Sequence, residues 1–309
     1  MFLVCGEALM DVFASGDTPT GVALDARVGG SPFNVAVGLA RLAQPVSFFS
    51  GVSRGFLGER LMRTLAEEGV GTASVQRSDA PITLSLVGLD AQGVPSYSFY
   101  GEGAADRVLG ADALALVPPG ITALQLGSYA TVVEPVASTQ RALVEREHHR
   151  VFVAYDPNIR LNVEPDLAPW RAMVDWMQPR TRMLKVSDED LGLLYPGRSL
   201  DDFAAGALAA GTSLVVVTRG AKGAIGWTKS VRVEAQPVAV KVVDTVGAGD
   251  TFDAGLVAGL VQGLDLEDAL RLAVAAGTLS VRREGGVDGQ PSAADAARLA
   301  ERAVVRDEG

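Results

Sequence analysis

Residues 151–160 have the sequence Val151-Phe152-Val153-Ala154-Tyr155-Asp156-Pro157-Asn158-Ile159-Arg160, an apolar run followed by polar side chains. Near-continuous apolar runs of this length are typical of strands that are buried on both faces of a parallel sheet. Comparable runs occur at 2–5, 46–49, 121–126, 183–186 and 214–217. Helical patterns lie between them, at 58–68, 135–147 and 200–210. The alternation predicts an α/β fold in which helices cover both faces of a mainly parallel sheet.

Polar side chains collect where the predicted strands end. Because ligands of such sheets bind beyond the carboxyl ends of the strands, these residues indicate a site along one edge. A single polar loop carries little weight, since loops are polar in any protein, but four in succession favour a site. The residues are Glu7 and Asp11, then Asp156, Asn158 and Arg160, then Ser187, Glu189 and Asp190, and finally Thr218 and Arg219.

Two segments interrupt this alternation. The stretches 81–87 and 96–100 flank a turn sequence at 90–93, which predicts an antiparallel hairpin, and 12–28 could supply another. We therefore expect a small β lid, formed by about 12–28 and 80–103, which could close the site, form a dimer interface or do both. The sequence has no long linker or internal repeat, so 1–309 is predicted to form one domain and 293–305 a terminal helix.

The chain is acidic and long enough for a large core. Of its 309 residues 48% are apolar, and the formal net charge is −10, whereas nucleic-acid-binding proteins usually present a basic face. Cys5 is the only cysteine, which excludes an intramolecular disulfide. The N-terminus has no signal-peptide pattern, and no apolar stretch approaches the ~18 residues of a membrane span. The sequence is therefore interpreted as that of a soluble, cytoplasmic protein without a nucleic-acid or membrane partner.

The segment 244–252 carries the clearest chemical signal, with the sequence Asp244-Thr245-Val246-Gly247-Ala248-Gly249-Asp250-Thr251-Phe252. Its small residues precede a helical pattern at 251–262. Small residues let the backbone approach a ligand, and the unpaired N–H groups and dipole of a helix N-terminus favour an anion there. Residues 247–250 can thus form an anion hole for a phosphoryl group in transfer.

Asp250 has two interpretations at this point. A carboxylate beside an anion hole repels a simple phosphate, so its position makes sense if it faces a hydroxyl that attacks the phosphorus. The helix dipole should keep Asp250 ionised and hence a weak base, which a loose transition state tolerates because the proton leaves late. The other interpretation, equally good from the spacing alone, is that Asp250 only caps the helix.

Residues 29–34 predict a second helix start, with the sequence Gly29-Gly30-Ser31-Pro32-Phe33-Asn34. Ser31 suits the N-cap and Pro32 the first helical position. The two glycines would let a ligand reach the backbone, and Asn34 could hydrogen-bond a polyol. An ordinary turn with Asn34 in water would have the same sequence.

Several enzyme classes are disfavoured by what the sequence lacks. There is no P-loop motif, and no Gly-rich dinucleotide motif follows the first apolar run. The two histidines, His148 and His149, are adjacent in a charged helical stretch. That position argues against a metal site and against a catalytic triad that uses histidine.

The segments 29–42 and 244–255 resemble the two signatures of the ribokinase-like (PfkB) carbohydrate kinases, in the order that the family has. The resemblance extends from the first apolar run to about residue 288. It implies a three-layer α/β/α sandwich with a mainly parallel central sheet and a small β lid that often forms a homodimer. It also implies ATP and Mg²⁺ as cofactors, with K⁺ as a further candidate.

The same resemblance assigns the substrate side of the site. Asp250 corresponds to the catalytic base, and Gly247, Ala248 and Gly249 correspond to the anion hole. Arg160 matches an arginine on the substrate or phosphate side. The sugar-binding positions are matched by Asp11, Gly29, Gly30, Asn34 and the lid aromatic Phe99.

The nucleotide and metal positions follow in the same way. Asp190 would organise Mg²⁺ through water, and it is one methylene shorter than the family's glutamate, so Glu189 could substitute. Asp244 lies where the family often holds a monovalent cation through backbone oxygens. The nucleotide contacts correspond to Lys185, Ser187, Thr218, Gly220 and Gly223, together with Gly247 and Gly249.

Segments 7–11, 104–106 and 185–191 resemble the bacterial fructokinase branch, which implies phosphorylation of fructose on its 6-hydroxyl. Gly101 stands where many relatives carry an arginine that could pair with a substrate carboxylate, and the absence of this arginine favours a neutral sugar. The alternative enzymes are 2-keto-3-deoxygluconate kinase, then ribokinase or nucleoside kinase. A catalytically silent sugar sensor is disfavoured because Asp250 and the anion-hole residues are all present.

Overall fold

The computed structural model of the protein describes residues 1–89 and 95–307. The described strands are β1 (Phe2–Cys5), β2 (Leu9–Thr18), β3 (Gly21–Gly29), β4 (Val46–Ser53), β5 (Val75–Ser78), β6 (Thr83–Leu89), β7 (Pro95–Tyr100), β8 (Ala123–Gly127), β9 (Phe152–Asp156), β10 (Met183–Ser187), β11 (Leu214–Thr218), β12 (Ala224–Trp227), β13 (Arg232–Gln236) and β14 (Val304–Asp307). The described α-helices are α1 (Ser31–Arg41), α2 (Phe56–Glu67), α3 (Val136–Glu147), α4 (Leu167–Met177), α5 (Asp188–Leu194), α6 (Leu200–Ala210), α7 (Ala248–Gln262), α8 (Leu266–Ser280) and α9 (Ala293–Ala300).

The central sheet of the described residues contains ten strands in the order β14-β13-β12-β11-β10-β9-β8-β1-β4-β5. Neighbours from β5 to β11 are parallel, and β12, β13 and β14 extend the sheet with antiparallel pairs. β1 lies in the middle of the parallel part, with Leu3 opposite both Ser47 and Leu124. The predicted α/β fold with a mainly parallel sheet is confirmed, and the six predicted apolar runs fall on six of its parallel strands.

Helices cover both faces of the sheet, because successive side chains of a strand point to opposite sides. Phe2 and Val4 of β1 belong to a core that also contains Phe33 of α1, Leu256 of α7 and Ala273 of α8. The intervening residues Leu3 and Cys5 belong to a second core. That core includes Leu143 of α3, Val174 of α4 and Phe203 of α6. Three layers result, and the carboxyl ends of the parallel strands meet along one edge between them.

A separate four-stranded sheet, in the order β3-β2-β6-β7, occupies the segments predicted to form a lid. β2 pairs antiparallel with β3 and parallel with β6, where Leu9 lies opposite Thr83. β6 and β7 form the predicted antiparallel hairpin, and the turn sequence at 90–93 lies outside the described residues. β2 starts at Leu9, three residues before the predicted boundary at 12. The role of this sheet as a lid, and 1–309 as one domain, remain predictions.

Two local predictions were wrong. Gly30, not Ser31, is the N-cap of α1, with φ 106°, and a Cβ at Gly30 would lie 2.8 Å from the carbonyl oxygen of Glu7. A glycine is therefore required at this close approach. The 293–305 segment is not one helix: α9 ends at Ala300, and β14 then pairs with β13. Among the described residues, none of the helices combines the length and apolar character that a membrane crossing requires.

Candidate active site

Two helix N-termini meet at the carboxyl edge of the sheet, and Asp250 lies between them. Asp250 stands in the first turn of α7, three residues after the N-cap Gly247. Its Oδ1 accepts a hydrogen bond from the hydroxyl of Ser31 (2.7 Å), and its Oδ2 accepts one from Nδ2 of Asn34 (2.8 Å). Asn158 donates in turn to the Ser31 oxygen (2.6 Å). The side chain of Asp250 does not cap its helix, so the capping interpretation is wrong.

The environment of Asp250 raises the pKa of its carboxyl above the usual value. Burial is the main cause, since Asp250 is 6% exposed. The hydrogen bonds from Ser31 and Asn34 lower the pKa, as do the positive charges of Arg160 and Lys185. The dipole argument predicted a weak base, whereas burial makes Asp250 a stronger base than an exposed aspartate.

The backbone before Asp250 has the geometry expected of an anion hole. Gly247 is left-handed (φ 75°, ψ 3°), and a Cβ there would lie 2.6 Å from Cα of Gly286. Within the described residues no acceptor lies against the amide N–H groups of Gly247, Gly249 and Asp250, whereas the N–H of Ala248 donates to the carbonyl of Thr245 (3.2 Å). Three N–H groups at a helix N-terminus are thus free to bind an anion.

A cavity of about 440 Å³ opens in front of Asp250. Residues predicted from the sequence that line it are Asp11, Gly30, Asn34, Phe99, Arg160, Gly247, Gly249 and Asp250. Gly29 does not line it, but a Cβ there would lie 2.2 Å from Oδ2 of Asp11, so Gly29 leaves room for that carboxylate. The cavity brings together the residues that follow β1 and β9, the start of β2, and the starts of α1 and α7.

The wall of the cavity includes residues to which the sequence assigned no binding role. They are Glu7, Leu9, Ser31, Ser85, Tyr129, Asn158, Asn162, Thr245 and Val246. Glu7 and Asn158 had a sequence signal, because they follow apolar runs. Tyr129 lies in a 3-10 helix shortly after β8 and Asn162 lies in a turn after β9; neither was singled out from the sequence, and the folded sheet brings both to the cavity.

Glu7 stands out among these residues because it is a carboxylic acid that is only 2% exposed. The pKa of Glu7 is raised to about 7, mainly because the side chain is buried. The hydrogen bond with Ser128 and the positive charge of Arg160 oppose this rise. Its Oε2 has no hydrogen-bond partner among the described residues. An unpaired buried oxygen on a cavity wall is suited to accept a hydrogen bond from a ligand hydroxyl.

Lys185 lies beneath the first turn of α7 rather than on the cavity surface. Its Nζ is 2.7 Å from Oδ2 of Asp156 and 3.7 Å from Oδ1 of Asp253, and all three side chains are buried. Burial lowers the pKa of Lys185, but the two carboxylates raise it above the usual value overall. The same Nζ would lie 3.5 Å from a Cβ at Gly249. A buried positive charge therefore sits directly behind the anion hole.

The sequence matches the family model of the pfkB family carbohydrate kinases over residues 2–293. The chain belongs to this family. A fructokinase from Rhizobium leguminosarum bv. trifolii is 37% identical over 260 residues, which cover 84% of this chain and 79% of that protein. The family resemblance of the 29–42 and 244–255 segments is confirmed.

Solved structures of family members have the same fold. Fructokinase from Xylella fastidiosa with bound ATP superposes with a TM-score of 0.86 and 26% identity, covering 97% of this chain and 98% of that chain. A double mutant of fructokinase from Vibrio cholerae O395, bound to fructose, ADP and potassium ion, has a TM-score of 0.84 and 27% identity. That comparison covers 96% of this chain and 97% of the other. The ribokinase-like fold class is thereby confirmed.

Two of the positions that the family resemblance assigns to the nucleotide, Ser187 and Thr218, lie at neighbouring strand ends. Ser187 at the end of β10 is in register with Thr218 at the end of β11. Ser187 caps α5, its hydroxyl accepting the N–H of Asp190 (3.0 Å). Gly220 and Gly223 bound a 3-10 turn with positive φ angles of 54° and 83°. A second cavity of about 390 Å³ adjoins this turn and is lined by Arg219, Ala221, Lys222, Glu234, Gln236 and Pro237.

The position of Asp190 is compatible with the prediction that it would organise Mg²⁺ through water. Burial and the charge of Asp156 raise its pKa to about 6, opposed by Lys185 and Arg160, whereas Glu189 is exposed. The described residues contain no cluster of three or more metal-ligating side chains. Mg²⁺ commonly binds through one or two carboxylates with waters and substrate phosphates, which is the set that this edge can offer.

Asp244, which is predicted to lie beside a monovalent cation, joins two loops through its carboxylate. Its Oδ1 accepts the N–H of Val246 (3.0 Å) and its Oδ2 accepts that of Gly285 (2.8 Å). Both carboxylate oxygens are therefore engaged by the backbone. A cation beside it would be coordinated largely by the carbonyl oxygens of the two loops that Asp244 joins.

Proposed function

We propose that the protein transfers the γ-phosphoryl group of ATP to the 6-hydroxyl of D-fructose, giving fructose 6-phosphate and ADP. The observation that carries this proposal is the buried carboxylate of Asp250, held by Ser31 and Asn34 beside free helix N-terminal amides in a polar cavity. A reaction in which a hydroxyl attacks a phosphoryl group needs a base for the hydroxyl proton and an anion hole for the phosphoryl charge at the same point. The fructokinase relatives support fructose as the acceptor.

In this reaction Asp250 accepts the proton of the sugar hydroxyl. The hydroxyl oxygen forms a bond to the γ-phosphorus as the bond to the leaving oxygen of ADP breaks. The N–H groups of Gly247, Gly249 and Asp250 stabilise the charge on the transferring group. Arg160 faces the same cavity and supplies a cation on the phosphate side.

The sugar would be oriented by side chains on the opposite wall of the cavity. Asp11, Glu7 and Asn34 offer acceptors and a donor for its hydroxyls, the Gly30 backbone permits close approach, and the ring of Phe99 covers an apolar face. Several acids and one arginine line the cavity, a charge balance that suits an uncharged polyol better than 2-keto-3-deoxygluconate. The keto acid is the second candidate, because Arg160 could pair with its carboxylate.

ATP would lie along the ends of β10 and β11, between the anion hole and the 3-10 turn with Gly220 and Gly223. Mg²⁺, held through water by Asp190 together with the ATP phosphates, would neutralise negative charge on the nucleotide. A potassium ion would bind at the two loops that Asp244 joins, and the potassium-bound fructokinase from Vibrio cholerae O395 supports this proposal. Lys185 would act on the phosphates from behind the hole.

The four-stranded sheet would serve as the lid and as the contact of a homodimer. Its outer part leaves Val22 (56% exposed), Leu24 (56%) and Tyr100 (60%) in contact with solvent, and exposed apolar side chains of this kind favour a protein contact. Sedimentation at working concentration should give a dimer that Leu24→Glu weakens. A monomeric wild type would contradict the dimer. The cytoplasmic location stays a prediction.

The deciding experiment is ADP release from Mg-ATP with fructose, 2-keto-3-deoxygluconate, ribose, adenosine and glucose. We expect efficient turnover with fructose. Efficient turnover with only the keto acid would replace the substrate and leave the role of Asp250 in place. A sugar-induced thermal shift without ADP release would instead identify a sugar sensor and contradict the kinase activity.

A further inference from the structure

Gly101 and Arg107 share one space beside the cavity wall. Gly101 directly follows β7 and is buried. A Cβ at Gly101 would lie 2.4 Å from both Cζ and Nη2 of Arg107, and 2.5 Å from its Nε. The guanidinium group of Arg107 therefore occupies the volume that any side chain at position 101 would take.

The guanidinium group packs on Tyr129. Its Cζ lies 4.9 Å from the centroid of the Tyr129 ring, within the range of a cation–π contact. Tyr129 is 1% exposed and lines the cavity. The ring of Phe99, which also lines the cavity, meets Tyr129 edge-on with centroids 6.4 Å apart. Arg107 thus supports the aromatic wall from behind.

Two further contacts hold this wall in place. The Tyr129 hydroxyl donates to Oδ2 of the buried Asp106 (2.7 Å), and Thr83 of β6 donates to its Oδ1 (2.7 Å). Asp106 thereby ties the cavity wall to the four-stranded sheet. The positive charge of Arg107 favours the ionised form of Asp106, whose pKa burial raises.

The guanidinium group has no other anchor in the described residues. Its Nε and Nη2 are buried and have no hydrogen-bond partner there. Buried donors without acceptors are costly, and a packing role alone would be served as well by an apolar side chain. The cation contacts the ring face of Tyr129 and acts electrostatically on Asp106, which holds the Tyr129 hydroxyl, so its charge acts on the aromatic wall.

We propose that Arg107 is a positioning residue that determines sugar specificity. It fills the space left open at Gly101 and fixes the rings of Tyr129 and Phe99 against the sugar. The inference rests on the proposed function, because it assigns the sugar to this cavity. It deepens that function in one respect. The aromatic wall that selects an uncharged sugar depends on the cation of Arg107, which does not itself touch the sugar.

The test compares Arg107→Met with Arg107→Lys and the wild type. Arg107→Met keeps a long side chain without the charge, and we expect the KM for fructose to rise by about 3- to 30-fold, the factor of a lost cation–π contact. The kcat should change less than twofold and the KM for ATP should stay the same. Arg107→Lys restores the charge and should recover part of the sugar affinity.

Two controls separate this role from a merely structural one. Arg180 stacks on Trp176 at 4.3 Å and neither residue lines the cavity, so Arg180→Met should leave the KM for fructose unchanged. Gly101→Ala should raise the KM in the wild type, and in the Arg107→Met background it should add less, because both changes act on one space. An unchanged KM in Arg107→Met, equal values for the Met and Lys variants, or strictly additive effects would overturn the inference.

Calorimetric titration with fructose, without ATP, keeps the two proposals distinguishable. If the wild type binds fructose but releases no ADP, the kinase proposal fails. The fructose dissociation constants of the variants would still test whether Arg107 positions the aromatic wall. If the wild type turns over fructose and the variants bind it equally well, only the inference about Arg107 fails. A wild type that binds none of the five candidate phosphate acceptors would overturn both.

Discussion

Nδ2 of Asn34 lies 2.8 Å from Oδ2 of Asp250, although the two residues are 216 positions apart in the chain. Asn34 belongs to the first turn of α1 and Asp250 to the first turn of α7. The bond orients the carboxylate and joins the two signature segments into one site. The Ser31 hydroxyl donates to the other oxygen (2.7 Å), so the carboxylate of the proposed base is held from two sides while it faces the cavity.

Asp250→Asn should remove the proposed general base without disturbing the fold. We expect kcat to fall by about 10²- to 10⁴-fold, the usual contribution of a general base, because an amide cannot accept the hydroxyl proton. Affinity for ATP should persist, measured by titration with the nucleotide. Asp295 also lies in the first turn of a helix and is exposed to solvent near Arg298, so Asp295→Asn serves as the control. Near-normal turnover in Asp250→Asn would remove Asp250 from the mechanism.

Gly249→Val should obstruct the anion hole. The new side chain would stand beside the free N–H groups and 3.5 Å from Nζ of Lys185 at its Cβ. We expect kcat to fall by about 10²-fold or more, the scale of losing an oxyanion donor. Gly192 lies in helix α5 with open space around it, so Gly192→Val is the matched control. Equal steady-state rates for the two variants would contradict the anion hole.

Lys185→Met should lower the stability of the protein and change the pH dependence of turnover, because it removes a buried positive charge. Removing the cation leaves the buried acids Asp156 and Asp253 without their positively charged partner, which costs about 3 kcal/mol of stability or more. Since Lys185 lowers the pKa of Asp250, its loss should raise that pKa. The acid limb of the kcat profile should then move to higher pH. An unshifted limb in the folded variant would show that Lys185 does not act on Asp250.

Glu7→Gln should change how stability depends on pH. The folded pKa of Glu7 is about 7 against an ordinary value of 4.5, so the unfolded chain loses this proton first as pH rises. The wild type therefore loses stability between these two values, whereas glutamine imitates the protonated acid throughout. Between pH 5 and pH 8 the free energy of unfolding of Glu7→Gln, relative to wild type, should rise by about 2.5 kcal/mol.

Urea unfolding at the two pH values measures this difference. Glu301 lies at the surface, and Glu301→Gln should follow the wild type at both. A constant difference between Glu7→Gln and wild type would mean that Glu7 is ionised across the range. The KM for fructose of Glu7→Gln should also rise, because the unpaired Oε2 would no longer accept a sugar hydroxyl.

Hydrophobic patterning accounted for most of the parallel sheet. The apolar runs at 2–5, 151–154 and 214–217 are strands β1, β9 and β11 because residues buried on both faces must be apolar. The short edge strands β5 and β14 were not predicted, since their sequences carry polar residues and their pairing partners are distant in the chain. The tail at 304–307 forms a strand because β13 offers it an unpaired edge.

The sequence by itself determined the fold class and the family, and it singled out Asp250 as the candidate base, because these depend on local patterns: apolar runs, small residues before a helix, and a carboxylate at a fixed spacing. The tertiary structure decided what those residues contact. Ser31 bonds Asp250 instead of capping its own helix, Lys185 lies behind the anion hole between two acids, and Arg107 fills the space of Gly101. Such contacts join residues far apart in the chain, and their burial and charge exist only once the layers have packed.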